Sequence, residues 1–381
     1  MMSDSKSNVF VNFRTNANAN AMLLLAFVFF SLLNSVFSDD NTPIPGDAAQ
    51  VESWFKQNVG PLESRKATLD PKLVAAEADP KRVTVKKAGG GGDFKTITDA
   101  VKSVPEGNAN RIIIAIGPGV YKEKVKIDRT KPFVTFLGDP KNMPTLIYGG
   151  TAAEYGTVDS ASFIVESDYF VAANIIFANS APRPDGVRKG AQAVAIRVSG
   201  DKSALYNCKL IGFQDTLCDD RGNHFFKDCY IEGTVDFIFG SGKSLYLNTE
   251  LKVVAETEGL AMITAQARKS DTEDTGYSFV HCSVTGSKKN VTYLGRSWMP
   301  YPLVVYAYTT MGDTVNSLGW SDNNHPETDK TVFFGEYKSS GPGGKATGRV
   351  KYSKQLSSSE VGAYIKLGFV EGSKWLLPPP S

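Results

Sequence analysis

Two aspartates, Asp215 and Asp236, lie 21 residues apart in otherwise apolar surroundings, GFQDTL and GTVDFIFG. An aspartate among Phe, Ile and Val is costly unless it is paired. If the chain repeats with the same period, the two carboxylates stack side by side, because neighbouring strands lie about 4.8 Å apart. Like charges so close repel, and one carboxyl then keeps its proton to higher pH than the other. Such a pair supplies an acid and a nucleophile or base from one residue type. Gln214 precedes Asp215, and Gln192, which opens QAVAIR, stands 22 residues before Gln214. Two amides beside two carboxylates can donate hydrogen bonds to a developing oxyanion. Further on, LGRSW puts Arg296 and Trp298 at i and i+2, on the same side of a strand. Arg296 can hold a carboxylate through two parallel hydrogen bonds, and Trp298 can stack on a sugar ring. Spacing alone equally fits two unrelated turn aspartates, a structural glutamine ladder and an ordinary surface Arg–Asp pair.

The elements around these residues decide between the two possibilities. From Val83 the chain alternates (VTVKK) and passes a run of glycines. It then places Phe94, Ile97, Ala100, Val101 and Val104 on one helical face, with Pro105 ending the helix. Short β-rich runs follow, separated by turn residues, as the 35 Gly and 19 Pro also suggest. Several of these runs resemble one another: AANIIFANS, LYNCKLIGF, FKDCYIEGT, YLNTELKVV and FVHCSVTGS. Asn207 and Asp228 are 21 residues apart and Asp228 and Asn248 are 20 apart, while Asn174–Asn207 and Asn248–His281 each span 33. A repeat near 20 residues with longer excursions marks a solenoid, and strong β propensity without a leucine-rich consensus favours a parallel β-helix. The Asp215–Asp236 interval is therefore one coil. Cys208 and Cys229, also 21 apart, become stacked neighbours, either as small core side chains or as a disulfide.

Composition narrows the class further. The chain has 381 residues, is 41% hydrophobic and carries a net charge of +2. That balance excludes a nucleic-acid binder, which needs clustered Lys and Arg, but leaves weak attraction to an acidic polymer. Residues 21–33 (AMLLLAFVFFSLL) carry no charge, follow Lys6 and Arg14, and precede small residues at Ser35 and Ser38. Thirteen apolar residues are short for a membrane span, so a signal peptide over residues 1–38 is expected. The long preceding region keeps a signal anchor as the alternative. Residues 39–82 are read as a linker or short N-terminal extension, weakly helical at VESWFKQNV, and residues 83–381 as the main domain. The four cysteines form no CxxC, and His224, His281 and His325 are scattered, so no metal centre is expected.

Seven segments in order, GGGGDFKTITDAV, GVYKEKV, GTVDSASF, QAVAIR, FQDTL, GTVDFIFG and YLGRSW, resemble the plant pectin methylesterases from about Val83 to the C-terminus. The resemblance implies an all-β fold, a right-handed parallel β-helix with a short N-terminal helix cap, and a carboxylesterase that needs no cofactor. It implies Asp236 as nucleophile, Asp215 as general acid and then base, Gln214 and Gln192 as oxyanion stabilisers, and Arg296 as the residue orienting the nucleophile. Thr157, Gln192, Phe239, Arg296 and Trp298 are the implied substrate contacts. Methyl-esterified pectin is the implied substrate, a proteinaceous pectinesterase inhibitor a further partner, and a monomeric protein of the cell wall the implied setting. The chain departs from the family pattern in several places. Residues 39–82 stand where many members carry a long inhibitor-like pro-region. Phe213 and Cys218 replace tyrosines that usually flank QDTL, and Ser297 replaces the proline of GRPW, which is expected to loosen the loop around Arg296 and Trp298. The one glycosylation sequon is Asn290-Val291-Thr292. Rival readings are a lyase or glycoside hydrolase on the same fold, and a β-helix that binds carbohydrate without catalysis.

Overall fold

A computed structural model describes residues 40–87, 91–255 and 261–380; the expected signal peptide lies outside the described residues. Short strands assemble into three sheets, one of 11 strands and two of 8. Apart from the two ends of the 11-stranded sheet, where Lys81–Val85 pairs with Ile112–Ile116 and Phe333–Tyr337 with Ser353–Gln355, strands pair in parallel with the third strand before or after them. Leu217–Asp219, for example, lies between Ile196–Val198 and Ile238–Gly240, with Ile196 opposite Leu217 and Leu217 opposite Ile238. Each inner coil thus contributes one strand to each sheet, and the chain winds as a parallel β-helix in the right-handed sense that twisted strands favour. The 21-residue coil inferred from sequence is the register of the sheet carrying Asp215 and Asp236.

The repeated polar residue has a backbone cause. Asn174, Asn207, Asp228, Asn248 and His281 all adopt left-handed conformations, with φ of 61°, 46°, 57°, 50° and 52°. They sit where the chain turns between two sheets, and Asn and Asp tolerate this region best among residues with a Cβ. Tyr308 takes the same conformation at φ 53°, and the residue after each turn is buried, Ile175 after Asn174 and a small residue after the others. Cys208, Cys229, Thr249, Cys282 and Thr309 each direct Sγ or Oγ to the carbonyl two residues back, at 3.3–3.6 Å. The four cysteines are buried and unpaired. Between the two readings left open for Cys208 and Cys229, the core thiol is the one found. Deeper inside, Phe226, Tyr246, Phe279 and Tyr306 stack ring upon ring at 4.4–4.6 Å, one per coil. Helix Ile97–Ser103, with Thr96 at its N-cap, closes the N-terminal end of this core through Ile97, Ala100 and Val101. Among the described residues no helix is long and apolar enough to cross a membrane.

The segment before Val83 is more than a linker. Helix Val51–Asn58 buries Val51, Trp54 and Phe55 against the outer face of the 11-stranded sheet. Phe55 stacks on Phe225 at 5.9 Å and meets Tyr206 edge-on at 6.4 Å, while Glu52 pairs with Lys227 at 2.9 Å. Arg65 is buried and donates to the carbonyls of Gly372, Ser373 and Leu376, tying this segment to the C-terminal tail. Removing the Phe55 ring should therefore cost stability as a core truncation does. Phe55→Ala is expected to lower the unfolding free energy by about 3 kcal/mol, measured by denaturant melts against the parent chain; unchanged stability would reduce the extension to a passive cover.

Candidate active site

Asp215 and Asp236 lie on two stacked loops of the same design, just before the paired strands Leu217–Asp219 and Ile238–Gly240. In each, a glycine three residues earlier permits a tight bend, and the aspartate follows in the left-handed region, at φ 66° for Asp215 and 52° for Asp236. A Cβ on Gly233 would lie 2.2 Å from Cβ of Phe237 and 2.6 Å from the Phe213 carbonyl, and one on Gly212 would lie 2.8 Å from Oγ1 of Thr216. Both glycines of GFQD and GTVD are thus required by close approach. Asp215 N–H donates to the Val235 carbonyl at 3.0 Å, which locks one loop onto the next. The carboxylates end up 7% and 5% exposed.

Their surroundings differ in one respect that matters chemically. Arg296, at the end of strand Thr292–Arg296, donates Nε to Oδ1 of Asp236 at 2.7 Å and Nη2 to Oδ2. Burial pushes the Asp236 carboxyl above its usual range, and the Arg296 bonds pull it back down. Burial, with the Asp236 charge added, pushes the Asp215 carboxyl well above its usual range, and Arg296 opposes this only at a distance. Asp236 thus stays above its ordinary value but less so than Asp215, and the pair separates into a member that ionises first and a member that keeps its proton to higher pH.

The other expected residues gather around them. Ala193, next to Gln192, donates its N–H to the Gln214 carbonyl at 3.2 Å, so the two glutamines lie on adjacent coils beside the aspartates. Both are half-buried and neither side-chain amide has a partner among the described residues, which leaves their N–H groups available to a ligand. Thr157 is reached through Ser160, whose Oγ donates to the Thr157 carbonyl at 2.6 Å and accepts from Val194 N–H at 3.0 Å. Phe239 lies opposite Cys218 and packs on a small outer cluster of Ala161, Ile164, Val194 and Cys218. Trp298 is 51% exposed, with Cζ of Arg296 4.9 Å from its ring centre.

The loop at Ser297 is not loosened. Ser297 is 2% exposed, its N–H donates to the Ser321 carbonyl at 3.0 Å, and its Oγ donates to the Met299 carbonyl at 3.1 Å. A proline has no N–H to give to that first bond, so serine at this position fastens the loop by other means. Sequence reasoning also passed over Asn323, whose Oδ1 accepts from Nη1 of Arg296 at 2.7 Å. The signal available was the turn-forming run SDNN after LGW.

A family model for pectinesterase matches residues 82–373. The chain is 57% identical over 345 residues to Pectinesterase 2 of Olea europaea, covering 90% of this chain and 93% of that one. It is 54% identical to Putative pectinesterase 63 of Arabidopsis thaliana, covering 95% and 99%. Among solved structures, pectin methylesterase from carrot superposes with a TM-score of 0.73 at 31% identity, over 78% of this chain and 95% of that one. A pectin methylesterase variant in complex with a hexasaccharide superposes with a TM-score of 0.67 at 26% identity, over 79% of this chain and all of that one. With its parallel β-helix and its pair of buried carboxylates, the chain belongs to the pectinesterase family and is a carboxylic ester hydrolase that removes methyl esters from pectin.

Proposed function

We propose that Asp236 is the nucleophile of this hydrolysis and Asp215 its general acid and base. The observation that carries the assignment is the asymmetric grip of Arg296, which bonds Asp236 through two N–H groups, while Asp215 has no bonded cation among the described residues. An Oδ of Asp236 attacks the carbonyl carbon of a methylated galacturonate, and charge moves onto the carbonyl oxygen. The amides of Gln192 and Gln214 donate to that oxyanion. The C–O bond to methoxide breaks as Asp215 gives its proton, so methanol leaves and an acyl anhydride remains on Asp236. Asp215, now ionised, takes a proton from water. The resulting hydroxide attacks the sugar acyl carbon, which frees Asp236 and leaves a carboxylic acid on the polymer that ionises to solvent. Thr157, Phe239 and Trp298 complete the contacts to the sugar, with the exposed Trp298 ring as a stacking wall.

Removing one oxyanion donor should act on the chemical step. Gln214→Ala is expected to lower kcat roughly a hundredfold with little change in KM, read by methanol release from methylated pectin. Loss confined to KM would make Gln214 a binding residue only. Following chain scission in the same assay separates this reading from a lyase or glycoside hydrolase, since scission without methanol would defeat it. The same proposal places the protein outside the cell, in the wall, as a monomer. Residues 1–38 act as its signal peptide, residues 83–381 as its catalytic domain, and Asn290 as its glycan acceptor. A proteinaceous inhibitor is a further partner, tested by titrating such an inhibitor against methanol release.

A further inference from the structure

The guanidinium of Arg296 is held from three sides. Nε and Nη2 face Asp236, Nη1 donates to Oδ1 of Asn323 at 2.7 Å, and the Trp298 ring covers one face. Asn323 is itself fixed to the strand that carries Arg296. Its N–H donates to Oγ of Ser321 at 3.0 Å, Ser321 pairs in register with Arg296, and the Ser321 carbonyl accepts from Ser297. Asn323 and Asn324 take φ of 57° and 61°, two left-handed residues in succession, which few side chains but asparagine tolerate. The neighbouring carboxylate, Asp322, is occupied with Asn324 N–H at 3.0 Å. The groups of opposite or like charge that face the Asp236 carboxylate are Arg296 and Asp215.

We propose that Asn323 is a positioning residue for the ester hydrolysis, acting through Arg296 to hold the guanidinium with both of its inner N–H groups on Asp236. The amide oxygen suits this role because it accepts a hydrogen bond without carrying charge. Arg296 is thereby locked in rotation, while its full positive charge remains directed at Asp236. A carboxylate in the same place would satisfy the same N–H and compete with Asp236 for that charge. The inference rests on Asp236 being the nucleophile, so its test runs beside one of that assignment.

Two variants separate positioning from support. Asn323→Gly removes the acceptor and keeps a residue suited to φ 57°. It is expected to lower kcat about tenfold with KM within about twofold. Asn323→Asp keeps shape and acceptor but adds charge, and is expected to move the acid limb of the pH–rate profile to higher pH, because Asp236 loses part of its stabilising cation. A residue with only a structural role would leave that limb in place, whatever it did to thermal stability. Wild-type kcat and an unshifted limb in both variants would overturn the proposal. If Asp236→Asn, assayed alongside, still releases methanol normally, the nucleophile assignment fails. If Asp236→Asn is inactive while both Asn323 variants match the parent, only the role of Asn323 fails.

Discussion

Asp215→Asn is expected to lower kcat about 10³-fold while leaving the fold intact and KM near that of the parent. The side chain it replaces has two tasks, giving a proton to departing methanol and taking one from water, and an amide can do neither. The raised Asp215 carboxyl serves both tasks, since it stays protonated at pH values where the Arg296-bound Asp236 is ionised. Activity should then fall on the alkaline side as Asp215 ionises, and the residual activity of Asp215→Asn should lack that alkaline limb. Stability moves the other way. A carboxyl whose folded value is raised contributes stability that is complete below its unfolded value and is lost as pH rises through the folded one. Asp215→Asn should therefore melt above the parent at neutral pH, with the gap closing as pH falls toward the ordinary carboxylate value of 3.8. A constant gap across that window would mean that burial does not act on Asp215 as described.

Asp236→Asn is expected to be the more damaging change, with kcat reduced roughly 10⁴-fold or more. An amide oxygen is a poor nucleophile toward an ester, and no other described carboxylate is both gripped by Arg296 and next to the two glutamine amides. The substitution also leaves Arg296 facing an amide in a buried site, so a modest drop in melting temperature should accompany the lost activity. The two signatures differ in sign. Loss of Asp215 removes a buried carboxyl that is costly to ionise, whereas loss of Asp236 strands the buried charge of Arg296.

Much of this site is legible in the sequence because a solenoid converts spacing into contact. The 21 residues between Asp215 and Asp236 are one coil, in register with the pairing of Leu217 and Ile238, and the polar repeat at Asn174, Asn207 and Asp228 is a single left-handed turn position copied along the chain. What escaped did so for physical reasons. Residues 39–82 look sparse in apolar side chains because their partner surface is supplied by the sheet. Phe225, Leu245, Leu247 and Ala307 face outward from strands whose other face already fills the core. Strands apolar on both faces, such as SLYL and LVVYA, were the available sign that something covers them. The cysteine question turned on register and direction, which composition does not carry. Asn323 escaped because its bond to Arg296 joins a turn to a strand end 27 residues earlier, outside the period that made the aspartates visible. At Ser297 the missing proline is visible in sequence, but the bond its N–H makes to the Ser321 carbonyl depends on a strand pairing that is not.

Methanol release from methylated pectin by purified Asp236→Asn protein, beside the parent and at matched pH, reads out nucleophilic attack by Asp236. The expected result is parent-like secondary structure with methanol release at or near background. Near-normal release from a folded Asp236→Asn protein would contradict it.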